Sequence, residues 1–192
     1  MTSIIKVQDI QNATGDNIIK EASNTITIGA SGDTTNIVGT LQNNGAGVGG
    51  DNTPAFMAYL SSTQVIPNTT GTKLIFQTEV FDTDSAYNTS DGLFTVPSNE
   101  AGKYFFNFAT RLTNWNTSQV QIFVRINGST DKLLNEVGDA HGDNNSFLSS
   151  GIINLSVGDT VGVYFYQNGG NGAVCRSGEQ NSYFSGYKLI GI

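Results

Sequence analysis

The stretch Gly92-Leu93-Phe94-Thr95-Val96-Pro97-Ser98-Asn99-Glu100-Ala101-Gly102-Lys103-Tyr104-Phe105-Phe106-Asn107-Phe108 decides the fold class. Phe94 and Val96 stand two apart. A turn rich in Pro, Asn and Gly follows, and then Tyr104, Phe106 and Phe108 stand two apart again. A period of two is the signature of a strand with one buried face. This is the densest aromatic cluster in the chain, and buried aromatics contribute the largest areas to a core. Phe105 carries the opposite parity, which places a large apolar ring on the other face of the same strand.

The composition agrees with a β fold. Of 192 residues only 13% are charged, and 23 are glycine. Good helix formers are scarce and β-branched and aromatic residues are common, which suits short strands joined by Gly and Asn turns. The length fits one domain with an appendage. The net charge of −7 and pI of about 4.4 argue against two partners. Nucleic-acid binding needs clustered cations, and nine scattered Lys and Arg do not supply them. An acidic surface is also repelled by anionic lipid. No apolar run reaches spanning length, so no membrane insertion is expected. Met1–Val7 has no apolar signal core, and an initiating Met1 leads us to expect a whole, short protein. The single cysteine, Cys175, cannot form an internal disulfide and reads as a small buried apolar residue.

Three segments follow from the pattern. Residues 1–42 contain no aromatic side chain. Short β-like pieces such as Ser3–Val7 and Asn24–Ile28 alternate with Gly turns. Thr25-Ile26-Thr27-Ile28-Gly29 and Thr35-Asn36-Ile37-Val38-Gly39 look alike. So small a segment cannot build a core alone, and the expectation is a β-rich shaft whose Ile and Val are buried between subunits. Residues 43–53 form a Gly/Asn-rich linker. Residues 54–192 carry strand signals at Ala55–Leu60, Lys73–Glu79, Gly92–Val96, Lys103–Leu112, Gln119–Ile126, Lys132–Gly138, Phe147–Leu155, Asp159–Gln167 and Tyr183–Ile190. Turn chemistry such as Asn127-Gly128 and Gly158-Asp159 separates them. No amphipathic helix is visible, so an all-β sandwich or jelly roll is expected.

Catalytic chemistry is not evident. One His and one Cys give no spacing that pairs a nucleophile with a base, and no phosphate loop precedes a helix. No catalytic residue or resident cofactor is expected, and the chain is read as a non-enzyme. Asp139-Ala140-His141-Gly142-Asp143-Asn144-Asn145 places oxygen ligands at alternate positions, and Asp139 and Asp143 could hold a Ca²⁺; the segment lacks the length and pattern of a helix–loop–helix calcium site and equally fits a solvated loop. Trp115 lies among polar neighbours, where it could be a core residue or a stacking platform for a sugar ring.

Residues 54–192 resemble the globular head of complement component 1q and its cousins of the tumour necrosis factor type. The matching pieces occur in the family's order: Ala55-Phe56-Met57-Ala58, Tyr87-Asn88 with Gly92-Leu93-Phe94-Thr95-Val96-Pro97, Ala101-Gly102-Lys103-Tyr104-Phe105-Phe106, Arg125-Ile126-Asn127-Gly128, Leu155-Ser156-Val157-Gly158-Asp159-Thr160-Val161 and Tyr183-Phe184-Ser185-Gly186-Tyr187-Lys188-Leu189. The resemblance implies a ten-stranded jelly roll that forms a compact homotrimer, with Tyr104, Phe105, Phe106, Phe108, Phe184 and Tyr187 serving core and subunit interface. The chain lacks the family's collagen stalk and disulfide-capable cysteines. Its N-terminal stretch, Asn24 to Leu41 and Ile5 to Ala13, is similar to fibre and structural proteins of marine tailed bacteriophages.

Together the two resemblances imply a homotrimeric virion fibre, assembled in the host cytoplasm, with a β shaft, a linker and a jelly-roll knob. Residues 1–42 would contact other virion proteins. In the family's topology the loops 113–118, 139–145 and 168–180 share the end opposite the termini. Their residues Asn114, Trp115, Asn116, Asp139, His141, Asp143, Asn144, Arg176 and Glu179 are the candidates for contact with a host receptor, a glycan or a protein. The alternative is a head-decorating or tail-connecting protein whose jelly roll serves only trimerisation and stability.

Overall fold

In the computed structural model the chain divides into two compact units, Met1–Gly49 and Gly50–Ile192. The structure describes residues 52–114, 119–138, 144–169 and 172–189 of the larger unit. In the smaller it describes residues 9–11, 17–22, 25–28, 32, 34–36, 38, 42–43 and 46–47.

The smaller unit holds β1 (Asp9–Gln11), β2 (Asn17–Ala22), β3 (Thr25–Ile28), β4 (Gln42–Asn43) and β5 (Ala46–Gly47). β1, β2 and β3 form an antiparallel meander in which Ile10, Ile19 and Ile28 fall in one cross-strand row. Ile10 and Ile28 remain about half exposed. β4 and β5 pair as a separate short ribbon. Of the two similar segments Thr25–Gly29 and Thr35–Gly39, residues 29, 37 and 39 lie outside the described residues. Thr25–Ile28 is a strand, whereas residues 34–36 and 38 are in none. The Ser3–Val7 piece lies outside the described residues.

The larger unit is a two-sheet all-β sandwich, and no helix occurs among the described residues. Its strands are β6 (Ala55–Tyr59), β7 (Gln64–Ile66), β8 (Thr72–Lys73), β9 (Thr78–Asp82), β10 (Tyr87–Asn88), β11 (Leu93–Thr95), β12 (Gly102–Thr113), β13 (Val120–Ile126), β14 (Thr130–Val137), β15 (Asn145–Leu155), β16 (Thr160–Gln167), β17 (Ala173–Cys175) and β18 (Tyr183–Lys188). One sheet runs β10-β11-β16-β13-β14, with β8 pairing further along β16. In the other, β15 and β18 flank β12, β6 and β9 follow β18, and β17 with β7 extends that flank toward the far end of β12. Neighbours in sequence repeatedly lie in different sheets, which is the jelly-roll arrangement.

The opening stretch becomes β11, a turn and β12, and the two strands fall in opposite sheets. Phe94 and Phe106, one from each, meet edge to face across the interior with centroids 5.6 Å apart. Phe56 stacks on Tyr87 and Phe94, and Phe184 stands edge-on to Phe56 at 4.9 Å. Tyr104, Phe106, Phe108 and Phe184 are fully buried. The buried phenol of Tyr87 both accepts from the Phe76 N–H and donates to the Phe76 carbonyl at 3.2 Å, and burial holds its pKa above the ordinary value. Packing is tight at Gly186, where an added Cβ would stand 2.5 Å from the Phe106 ring. The turn after β13 uses Asn127 and Gly128, both with positive φ, as its tight reversal requires.

One strand expectation is overturned. Lys73–Glu79 is not a single strand. β8 pairs with β16 in one sheet, β9 pairs with β6 in the other, and residues 74–77 cross between them. Leu74 and Phe76 alternate because both are buried in the crossing. Their segment is held by side chains, with Gln64 Oε1 accepting from the Ile75 N–H and Tyr87 capping Phe76.

Candidate functional site

Two surfaces of the larger unit follow from its register. The first is the outward face of the β12 sheet. Leu112, Phe108, Phe106 and Tyr104 point inward, so Phe105, Asn107, Ala109 and Arg111 point outward. Phe105 lies opposite Ile152 on β15 and Tyr187 on β18, and the Phe105 and Tyr187 rings are 5.5 Å apart. Ala109 lies opposite Leu148. Further across, Met57 pairs with Phe81. Ile152 is 59% exposed, Leu148 57% and Phe81 48%. A single chain thus leaves a band of large apolar side chains half uncovered on one face. The residues read together as core and interface therefore separate: Tyr104, Phe106, Phe108 and Phe184 fill the core, while Phe105 and Tyr187 face outward.

The second surface is the loop end. Leu112 is level with Asn145 and Cys175, and Val120 is level with Val137 and Gln167. The connections after β12, β14 and β16 therefore emerge at one end of the sandwich. The domain's entry and exit meet at the other, where the Lys188 N–H donates to the Pro54 carbonyl at 3.0 Å. Backbone bonds lock the loop roots: Asn144 N–H to Leu112 C=O at 2.9 Å, Arg176 N–H to Arg111 C=O at 2.9 Å and Asn168 N–H to Gln119 C=O at 3.2 Å.

Of the candidate contact residues, Asn114 and Asn144 lie at this end, exposed and with left-handed backbones. Arg176 is exposed and donates from Nη1 to Asn144 Oδ1 at 2.9 Å, so these two candidates come together. Glu179 is exposed in the turn before β18, whose Gly178 N–H bonds the Leu60 carbonyl. Trp115, Asn116, Asp139, His141 and Asp143 lie outside the described residues, and with them the calcium candidates. Among the described residues no group of three His, Cys, Asp or Glu side chains converges on a point. Cys175 is buried beside Thr110, whose hydroxyl lies 2.8 Å from that of Ser182, and burial pushes the thiol pKa up to about 12.

The sequence reading passed over Arg111. It stands on the outward face of β12, half-buried, and its Nε is buried with no hydrogen-bond partner. The parity of β12 gives its face. Its neighbour across the sheet is set by β17, a strand too short for periodicity to reveal.

A comparison with family models matches the C1q domain over residues 55–189. No curated protein matches the sequence. Among solved structures, the globular domain of zebrafish complement 1qA is similar at 16% identity and a TM-score of 0.51, covering 71% of this chain and 98% of that one. Murine APRIL is similar at 16% identity and a TM-score of 0.54, covering 70% and 99%. Eiger TNF from S. frugiperda is similar at 12% identity and a TM-score of 0.55, covering 71% and 92%. These neighbours share the jelly roll, and the family match over nearly all of the larger unit places this chain in the C1q domain family.

Proposed function

We propose that the protein is a non-enzymatic homotrimer, a virion fibre of a tailed bacteriophage, whose jelly-roll head binds the host cell surface through its loop end. The observation that carries the trimer is the outward band of Phe105, Ile152, Tyr187, Leu148 and Phe81 in a family of trimer-forming domains. Covering such a band removes apolar surface from water at about 25 cal/mol per Å². A threefold assembly would set three loop ends side by side. A weak contact at each would then become strong binding to a repetitive surface such as a glycan coat. The virion part of the reading rests on the resemblance of residues 5–13 and 24–41 to phage fibre and structural proteins, and it makes residues 1–42 the anchor to other virion proteins.

Two measurements test it. Light scattering of the purified chain should give three times the chain mass of 20.4 kDa. The purified protein should also compete with phage particles for adsorption to host cells, and replacing loops 113–118, 139–145 and 168–180 should abolish the competition. A trimer that never competes would overturn the host-binding part and leave the head-decorating or tail-connecting role.

A further inference from the structure

At the loop end, Leu112 of β12 pairs with Cys175 of β17, and both side chains are buried. The bond from the Arg176 N–H to the Arg111 carbonyl carries this register one residue further and sets Arg176 directly opposite Arg111. By parity both arginines stand on the outward face. Like charges directly opposite on antiparallel strands repel and destabilise the pair. Neither guanidinium is neutralised among the described residues, whose two ion pairs are Arg125–Asp131 and Lys188–Glu100. Arg176 spends one donor on the uncharged amide of Asn144. Arg111 Nε is removed from water yet bonds nothing, and a buried donor left unpaired calls for a missing partner. The residue across from Arg111 on its other side is Ser146, exposed and uncharged. Two of only nine basic residues in a chain of net charge −7 therefore stand opposite each other in the register, with no ion pair to an acid among the described residues.

We propose that Arg111 and Arg176, with the Ser146 hydroxyl and the Asn144 amide at the rim, form a binding site for an oxyanion — sulfate, phosphate or carboxylate — borne by an acidic polysaccharide. The guanidinium fork matches two oxygens of such a group, and each bond is charge-assisted. A bridging anion also turns the repulsion between the arginines into shared attraction. The inference deepens the host-binding reading by naming the ligand class for the loop end, and it rests on that reading.

The test compares the full-length protein with Arg111→Gln/Arg176→Gln, using Lys132→Gln on β14 as a control that removes an exposed charge elsewhere. In chloride buffer the double variant should melt at or above the wild-type temperature, because a repulsion has been removed. Added inorganic sulfate or phosphate, at matched ionic strength, should raise the melting temperature of wild type and Lys132→Gln saturably, and leave the double variant unmoved. On immobilised dextran sulfate and polygalacturonate, with neutral dextran as reference, the double variant should bind at least tenfold more weakly than wild type. Equal binding by the double variant overturns the site. An effect of small ions without retention on either polymer overturns the polysaccharide assignment. Loss of the trimer in the double variant on light scattering shows that a neighbouring copy supplies the anion, and also overturns the proposal. If polymer binding is lost on mutation while competition for host cells persists, the oxyanion site stands and its role in host attachment falls.

Discussion

The two faces of β12 carry similar residues to different ends. Tyr104, Phe106 and Phe108 are fully buried between the sheets, whereas Phe105, one residue away from two of them, lies on the outside against Tyr187. The inner face is closed by the chain itself. Its aromatics meet at centroid distances of 4.9–6.3 Å and leave no room even for a methyl on Gly186. The outer face is open, with Ile152 and Leu148 more than half exposed. The inner set makes the fold, and the outer set is surplus to a single chain. Strand parity thus divides a closed face from an open one, and substitutions on the two faces should fail differently.

The largest effect belongs to the inner face. Phe106→Ala removes a ring packed against Phe94, Tyr104 and Phe184. Phe→Ala in a core costs about 3–5 kcal/mol, a large part of the roughly 5–15 kcal/mol that holds a domain folded. The expected outcome is insoluble protein or a large drop in the denaturation midpoint. The outer face should behave otherwise. Phe105→Asp, or Ile152→Ser at a more exposed position, should leave the domain folded by circular dichroism, at a cost of about 1–2 kcal/mol. Both should shift the mass by light scattering from trimer to monomer. If Phe105→Asp unfolded the chain as Phe106→Ala does, the division by parity would be broken.

This division was legible in the sequence, because parity along Lys103–Leu112 needs no knowledge of partners. The turn at Asn127-Gly128 was legible for the same local reason. What failed was non-local. Leu74 and Phe76 alternate like strand residues, but the Ile75 and Phe76 N–H groups bond the side chains of Gln64 and Tyr87 during a crossing between sheets. β7, β10 and β17 are two or three residues long, below the reach of any periodicity. The loop end suffered most, since the meeting of Arg111 with Arg176 depends on a register that only the folded sheets define.

A smaller effect separates the ends of the sandwich. Cys175 lies on β17 at the loop end, fully buried, with its thiol pKa pushed from 9.0 to about 12. At pH 8 that shift alone cuts the thiolate population about a thousandfold, and the thiolate is the reactive form. A thiol reagent should label the folded protein only as fast as the chain opens, and immediately in denaturant. Labelling much faster than global unfolding would show the loop end opening independently of the core.

The smallest effect lies at the opposite end, in the turn between β15 and β16. The Asp159 carboxylate accepts from Asn127 Nδ2 and from the Ser156 N–H, both at 2.8 Å, and these bonds hold its pKa below the ordinary 3.8, with the Asn127 bond the stronger influence. A carboxyl depressed in the folded state binds its proton more readily in the unfolded chain. Its contribution to stability is therefore complete above the ordinary carboxylate pKa and is lost as pH falls through the lower, folded value. The group sits at the surface, where water screens it, so the contribution is small. Asp159→Asn should lower the melting temperature slightly at pH 6, and the difference should vanish near pH 2, where wild type carries a neutral carboxyl as well. A deficit that persisted undiminished at pH 2 would mean that the turn depends on the shape of the side chain and not on its charge. The base of the sandwich would then be held by packing in the same way as its inner face.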